Sequence, residues 1–281
     1  MFQIVKKREL NPTVTFMSVC APLVAKKAQA GQFIILRTGE DGERIPLTIA
    51  GFDREKGTVD IIFQIVGATT AKLNQLKEGD FICDFVGPLG KPTELEDKKR
   101  ICIVGGGVGC AIALPLARAA KQNGAHVCSI VGFRNKELVI LEDEFNAASD
   151  KLIIMTDDGS FGTKGLVTQP LNEMLSSGEQ FDAIIAIGPL VMMKFVVETA
   201  RPYGVPVIVS MNPIMIDGTG MCGGCRLIVD GKTKFACVDG PDFDGYKVDF
   251  DSAMIRGRMY AEQERHAYEK ACNLFKKAEE K

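Results

Sequence analysis

Three cysteines and an aspartate in the last quarter of the chain have the spacing of a metal centre. The segment reads Asp217-Gly-Thr-Gly-Met-Cys222-Gly-Gly-Cys225, followed by eleven residues and then Cys237. Plant-type [2Fe–2S] sites use C-x4-C-x2-C with a distant fourth cysteine. Here that spacing holds with Asp217 in the first place. A carboxylate carries the same charge as a thiolate and can bind iron instead of it, so the net charge of a cluster would stay similar while its potential changed. Gly218, Gly220, Gly223 and Gly224 suit a loop folded tightly around such a cluster, with N–H groups turned to the sulfurs. Spacing alone leaves other readings open. A structural zinc site usually shows a second cysteine pair or a histidine; the only histidines are His126 and His266, so zinc would need Asp217 as well. The three thiols can also be metal-free, and Asp217 a turn residue with water or another chain completing the site.

A second set of residues points to nucleotides. Gly105-Gly-Gly-Val-Gly109, with Gly106, Gly107 and Val108 between its ends, directly follows an apolar run and opens a helical pattern. N–H groups at a helix start attract phosphate, and glycine lets a pyrophosphate come close. The dinucleotide fingerprint G-x-G-x-x-G is incomplete, because its third place is Cys110. After the second strand, where an acid would select NAD, stands Gly132-Phe-Arg134-Asn-Lys136, which leaves NAD and NADP both possible and makes Arg134 a candidate contact. Nearer the N-terminus, Arg44-Ile-Pro-Leu-Thr48 combines a cation, a rigid turn and a hydroxyl, groups able to hold a pyrophosphate and bond the edge of a flavin ring. Phe63-Gln-Ile-Val-Gly67-Ala-Thr-Thr70 offers a second Gly/Thr turn with free amides, or a plain strand end.

The elements that must carry these residues divide the chain. Residues 1–98 alternate with period two: Val14–Cys20, Gln32–Arg37, Thr58–Val66 and Asp80–Phe85 are strand candidates punctuated by glycine turns, which implies a small antiparallel barrel. From residue 99 to 212 five apolar strands, Ile101–Val104, His126–Val131, Leu152–Met155, Asp182–Ile187 and Val205–Val209, alternate with helices at Cys110–Asn123, Leu141–Ala148, Leu166–Leu175 and Leu190–Arg201. That rhythm indicates a parallel, doubly wound α/β sheet. Residues 213–250 form a small module shaped by metal, and 251–281 a charged helical tail with apolar residues at Met254, Met259, Tyr260, Tyr268 and Leu274. The tail suits either capping of a domain or docking to a partner.

Composition narrows the function classes. Of 281 residues, 34 are Lys or Arg and 36 Asp or Glu, with no basic patch that would serve nucleic acid. No apolar run approaches the ~20 residues of a membrane span, and no apolar stretch follows the basic N-terminus, so a cytoplasmic protein is expected. Nine cysteines in such a chain are not a disulfide framework; Cys20, Cys83, Cys102 and Cys128 read as small buried hydrophobes, with Cys110 and Cys272 the other two outside the crowded segment.

Taken together these segments resemble the ferredoxin–NADP reductase superfamily over nearly the whole chain. The order of barrel, nucleotide domain and [2Fe–2S] module is similar to the electron-transfer subunits of class B dihydroorotate dehydrogenase. Asp217 before Cys222 and Cys225, with Phe235-Ala-Cys-Val-Asp-Gly-Pro-Asp-Phe-Asp-Gly245, resembles within that group the small subunits of NADH-dependent reduced ferredoxin:NADP⁺ oxidoreductases, where an Asp and three Cys bind the cluster. The dihydroorotate relatives would carry a cysteine at position 217.

The resemblance implies FAD on the barrel, held by Arg44, Pro46, Leu47 and Thr48, with Ile65, Val66, Gly67, Thr69 and Thr70 on the pyrophosphate side and Thr48 near the reactive N5. It implies NAD(H) over the flavin, above Gly105–Gly109, in a crevice lined by Asp157, Asp158, Gly159, Gly188 and Pro189. It also implies a large subunit with a second FAD and [4Fe–4S] clusters, reached by ferredoxin through the complex, in an enzyme that bifurcates electrons. The alternatives are a non-bifurcating subunit serving dihydroorotate or sulfide/polysulfide chemistry, and a zinc-stabilised nucleotide-binding regulatory module.

Overall fold

The computed structural model describes residues 1–279, with side chains as far as Ala271, so Cys272 and Leu274 lie outside the described side chains. The first sheet contains β1 (Phe2–Asn11), β2 (Val14–Cys20), β3 (Phe33–Arg37), β4 (Ile45–Asp53), β5 (Thr58–Gln64), β6 (Phe81–Ile82) and β7 (Asp84–Leu89), with helices α1 (Pro22–Lys27) and α2 (Ala68–Gln75) between them. Its order is β6-β1-β2-β5-β4-β3-β7, antiparallel throughout. The two edge strands are separated in sequence only by Cys83, so the sheet curls into a nearly closed barrel. Ile34, Leu36, Ile49, Ile61 and Phe63 fill its interior.

Two strands were hidden in the sequence. β1 carries Lys6-Lys-Arg-Glu9 and reads as polar, but it lies next to the edge and is mostly exposed. Residues 45–48, expected as a rigid turn, begin β4 instead. Pro46 is tolerated because only β3 flanks it: Ile35 faces Pro46 across one ladder, while pairing to β5 starts at Ile49.

The second sheet has the order β11-β10-β9-β8-β12-β13-β16. Its parallel centre is the five expected strands, here β8 (Arg100–Gly106), β9 (His126–Phe133), β10 (Lys151–Thr156), β12 (Ala183–Ile187) and β13 (Val207–Ser210), with short β11 (Thr163–Lys164) added at one edge. Helices α3 (Gly109–Gln122), α4 (Glu142–Ala148), α5 (Thr168–Ser176) and α6 (Leu190–Ala200) connect them. Period-two geometry sends Ile101 and Ile103 to the face covered by α3 and α4, and Cys102 and Val104 to the opposite face.

That opposite face also packs the C-terminal module. After the loop of residues 211–225 come the hairpin β14 (Arg226–Val229) and β15 (Lys232–Phe235), the short helix α7 (Ala236–Asp239) and β16 (Asp242–Asp244), which pairs antiparallel with β13. Met215, Cys225, Leu227, Val229, Cys237, Val248 and Phe250 share one interior with Val196, Val207, and Phe33 and Ile35 of the barrel. The tail is not one helix. It breaks at residues 258–260 into α8 (Phe250–Gly257) and α9 (Ala261–Glu279), for Gly257 is a poor helix former and the two halves pack on different surfaces. α8 buries Phe250 and Ala253 against α6 and β14, whereas α9 lies along α2, where Ala271 is buried. Cys102 and Cys128 are fully buried as expected, but Cys20 and Cys83, at strand ends, are only half-buried. Among the described residues no helix is long and apolar enough to cross a membrane.

Candidate redox and nucleotide site

The strand order reverses between β8 and β12, so their connections leave in opposite directions and open a crevice at the C-terminal edge. Gly105–Gly109 leaves β8 there and Gly188-Pro189 leaves β12. A side chain at Gly109 would put its Cβ 2.5 Å from the Ile187 carbonyl oxygen and 2.8 Å from Gly188 Cα. Glycine thus lets the start of α3 abut the end of β12; no side chain caps that helix start, and with the Cys110 and Ala111 N–H groups donating to the Gly107 and Val108 carbonyls, those of Val108 and Gly109 are left to the crevice. Cys110, in the place of the third fingerprint glycine, folds its buried thiol back towards Gly105, and burial pushes that thiol up.

A cavity of about 580 Å³ fills the crevice. Gly106, Gly107, Val108, Gly109, Arg134, Asp157, Gly188 and Pro189 line it, whereas Gly105, Asp158 and Gly159 do not. Gly105 is buried beneath the loop. Asp158 accepts from the Ser160 hydroxyl at 2.6 Å and N–H at 2.9 Å, which hold its carboxyl below the usual range, and it shapes the turn containing Gly159. Asn11, Thr13 and Gln64 of the barrel, together with Thr168, Met192, Ser210 and Asn212, line the cavity too. Sequence reasoning missed these seven. Ser210 was findable, because it ends a parallel strand at the same edge that singled out Gly188.

On the barrel, Ile45 and Leu47 turn into the interior, so the alternating Pro46 and Thr48 face outward and remain half-buried. Arg44 is exposed beside them, 4.0 Å from Asp84, which Arg37 already holds at 2.7 Å. The amides of Val66 and Gly67 are not free as expected: both donate to the Thr70 hydroxyl at 3.0 Å, fixing the start of α2. The helix's first-turn N–H groups remain to face an anion. Thr69 donates to Glu43 at 2.9 Å, Ile65 is tied to the Thr13 carbonyl, and Val66 stands 70% exposed at the lip. An outward half-buried strip, an exposed apolar residue and an open helix start fit the ring and pyrophosphate of a flavin dinucleotide.

The cysteine loop rests on the neighbouring strand. Gly218 has φ +78° and lies against Leu89 and Ile35, where a Cβ would come within 2.6 and 2.9 Å of their Cδ1 atoms. Ile35 is the ladder partner of Pro46, and Phe33 that of Thr48. The module is therefore one strand away from the flavin strip. Cys225 and Cys237 are buried with their sulfurs 3.2 Å apart, and the Cys237 N–H approaches the Cys225 sulfur. Cys222 is exposed, its Sγ accepting from the Gly224 N–H at 3.4 Å. Asp217 spans the loop, accepting from Thr219 N–H at 2.7 Å and Cys222 N–H at 2.8 Å, which hold its carboxyl below the usual range.

Among the described residues the four donors do not converge on one centre: Cys225 and Cys237 pair inside, with Cys222 and Asp217 on the lip. Burial, then Cys225, pushes the Cys237 thiol up to about 12, and a bound cation would favour its thiolate. Three thiols and a carboxylate that stays anionic fit an iron–sulfur cluster in donor type. From α8, Arg256 donates to the Gly224 carbonyl at 3.3 Å and pins the loop's far end.

Comparison with known proteins agrees with this geometry. Residues 212–249 match the iron–sulfur cluster binding domain of dihydroorotate dehydrogenase B. A Thermotoga maritima protein described as a dihydroorotate dehydrogenase B (NAD(+)) electron transfer subunit homolog is 47% identical over 268 residues, covering 95% of this chain and 94% of the relative. The corresponding electron transfer subunit of Streptococcus pneumoniae R6 is 33% identical, covering 86% and 94%. A solved structure of NADH-dependent reduced ferredoxin-NADP oxidoreductase, described in terms of flavin-based electron bifurcation, superposes with a TM-score of 0.90 at 46% identity over 96% of this chain and 97% of that one. An Amycolatopsis cytochrome P450 reductase, 19% identical over 73% of this chain and 66% of its own, shares the fold with a TM-score of 0.63. The chain belongs to the family of dihydroorotate dehydrogenase B electron transfer subunits and their homologues, and is an oxidoreductase subunit.

Proposed function

We propose that this subunit passes electrons between NAD(H), FAD and a [2Fe–2S] cluster within a flavin-based electron-bifurcating NADH-dependent ferredoxin:NADP⁺ oxidoreductase. The observation that carries the reading is the seat of the Asp217–Cys222 loop on Ile35 and Leu89, one strand from Pro46 and Thr48. An FAD bound there would supply hydride exchange with nicotinamide and single-electron exchange with the cluster. The chain's own residues do the positioning. Residues 1–98 present Thr48 and Pro46 to the ring, with Arg44 and the α2 start, from Ile65 to Thr70, toward the pyrophosphate. Residues 99–212 hold NAD(H) over that ring, with the α3 N-terminus under its phosphates. Residues 213–250 would hold the cluster through Asp217, Cys222, Cys225 and Cys237, and residues 251–281 follow as the charged tail.

The partner in this reading is a large subunit carrying a second FAD and [4Fe–4S] clusters, through which ferredoxin exchanges electrons. The setting in this reading is cytoplasmic. Anaerobic purification of the native complex tests the proposal. The expected result is flavin absorption, a [2Fe–2S] EPR signal on reduction, and NADPH oxidation that requires both ferredoxin and NAD⁺. The match of residues 212–249 to the dihydroorotate dehydrogenase cluster domain favours a second reading, the non-bifurcating subunit. Dihydroorotate-dependent reduction of NAD⁺ by the complex would establish that one instead. A colourless protein loaded with zinc would refute both.

A further inference from the structure

Asp242 is half-buried, but one of its carboxyl oxygens is enclosed and unanswered. It lies on β16 where three parts of the chain meet. Its Oδ2 accepts from the hydroxyl of Thr93, in the segment linking barrel to nucleotide sheet, and its ladder partner on β13 is Ser210. Around it, Lys91 N–H donates to the Gly240 carbonyl at 2.7 Å and Met211 N–H to the Pro241 carbonyl at 2.9 Å. Oδ1 has no surface and no hydrogen-bond partner. Its polar neighbours from the linker and from β13 are hydroxyls, and no charged group contributes to its titration. A bare carboxylate is costly in such a place, and a proton on Oδ1 removes that cost. Burial accordingly pushes this carboxyl above its usual range, against the hydroxyls of Thr93 and Ser210.

Ser210 lines the nucleotide cavity. From the unpartnered Oδ1 behind it we infer that Asp242 is the proton store of the site, exchanging a proton with the crevice through the Ser210 hydroxyl. The inference rests on the proposed function, whose chemistry takes up one proton for each NAD⁺ reduced. A bound flavin would collect two single electrons from the cluster, oxidised once for each, together with one proton, and would pass them on as the hydride that turns NAD⁺ into NADH. Asp242 would give up its O–H proton through Ser210 to the flavin as the electrons arrive, become a carboxylate, and take a proton back from the cavity by the same hydroxyl. In the opposite direction it receives the proton left when the two electrons of a hydride depart singly. Asp242 acts through Ser210 and positions a proton; it does not touch the nucleotide.

The test uses the flavin- and cluster-loaded complex with Asp242→Asn, Asp242→Glu and Ser210→Ala. Redox-difference infrared spectra in wild type should show the carbonyl stretch of a protonated carboxylic acid that Asp242→Asn abolishes and Ser210→Ala retains. Proton uptake accompanying reduction, followed with an indicator dye, should slow on the order of tenfold or more in Asp242→Asn and Ser210→Ala. Asp242→Glu should restore the rate and shift its pH profile. If Asp242→Asn does not assemble, Ser210→Ala alone decides through the dye signal. An unchanged infrared spectrum, or unchanged proton uptake in either variant, in a complex that retains flavin and cluster overturns this inference alone. Absence of flavin from the wild-type complex overturns it together with the function on which it rests.

Discussion

Replacing Gly109 with alanine tests the crevice at its tightest point. The new methyl would lie 2.5 Å from the Ile187 carbonyl oxygen and 2.8 Å from Gly188 Cα, both backbone atoms that cannot rotate away. Ordinary contact begins at 3.4 Å, so the start of α3 and the end of β12 must separate by about 1 Å. Overpacking of this kind costs about 1–3 kcal/mol. For a domain of this size that lowers the melting temperature by roughly 2–4 °C per kcal/mol. Misplacement by 1 Å of a group that orients the substrate costs up to about 100-fold. NADH oxidation by an artificial one-electron acceptor should therefore show KM for NADH raised about 10- to 100-fold, with flavin and iron contents unchanged. Unaltered NADH affinity at an unaltered melting temperature would refute the claim that the α3 N-terminus lies under the nucleotide phosphates.

Other outcomes follow from the same structure. Gly218→Ala should cost about 1–2 kcal/mol for its left-handed backbone alone and lift the loop from Leu89 and Ile35; stopped-flow should show slower cluster reduction with flavin reduction by NADH unaffected. Asp217→Ala removes the acceptor for two loop N–H groups and an anionic donor, so iron content should fall. Asp217→Cys should retain a [2Fe–2S] EPR signal with shifted g-values and potential. Asp182 accepts from the N–H groups of Arg100 and Lys99, which depress its pKa below the ordinary 3.8. A depressed carboxyl stabilises the fold above its unfolded pKa and loses that contribution as pH falls through the folded value. The melting-temperature gap between wild type and Asp182→Asn should therefore be constant from neutral pH to about 5 and close below about 4.

Features that depend on short-range spacing were legible in the chain. Asp217, Cys222 and Cys225 belong to one loop, and Gly105–Gly109 joins one strand to one helix, so their order in sequence is nearly their order in space. Pro46 misled because a proline reads as a turn; that its strand lacks a second neighbour there depends on the register of β5. The hydroxyl of Thr70 takes the amides of Val66 and Gly67, a competition composition does not reveal. Asn11, Gln64 and Ser210 reach one cavity from three distant segments, and only tertiary packing unites them. The tail's division at residues 258–260 likewise reflects where α8 and α9 find surfaces to cover.

The shared interior of the C-terminal half limits how this protein can be re-engineered. Leu227, Val229, Val248 and Phe250 share one packed interior with Val196 of α6 and Val207 of β13, while Phe33 and Ile35 close the same packing from the barrel. The iron-holding hairpin is thus not a bead that can be grafted at will. A chimera that imports residues 213–250 from a distant relative must import the inner face of α6 and the outer face of β3 with them, or leave holes where the donor's side chains differ in size.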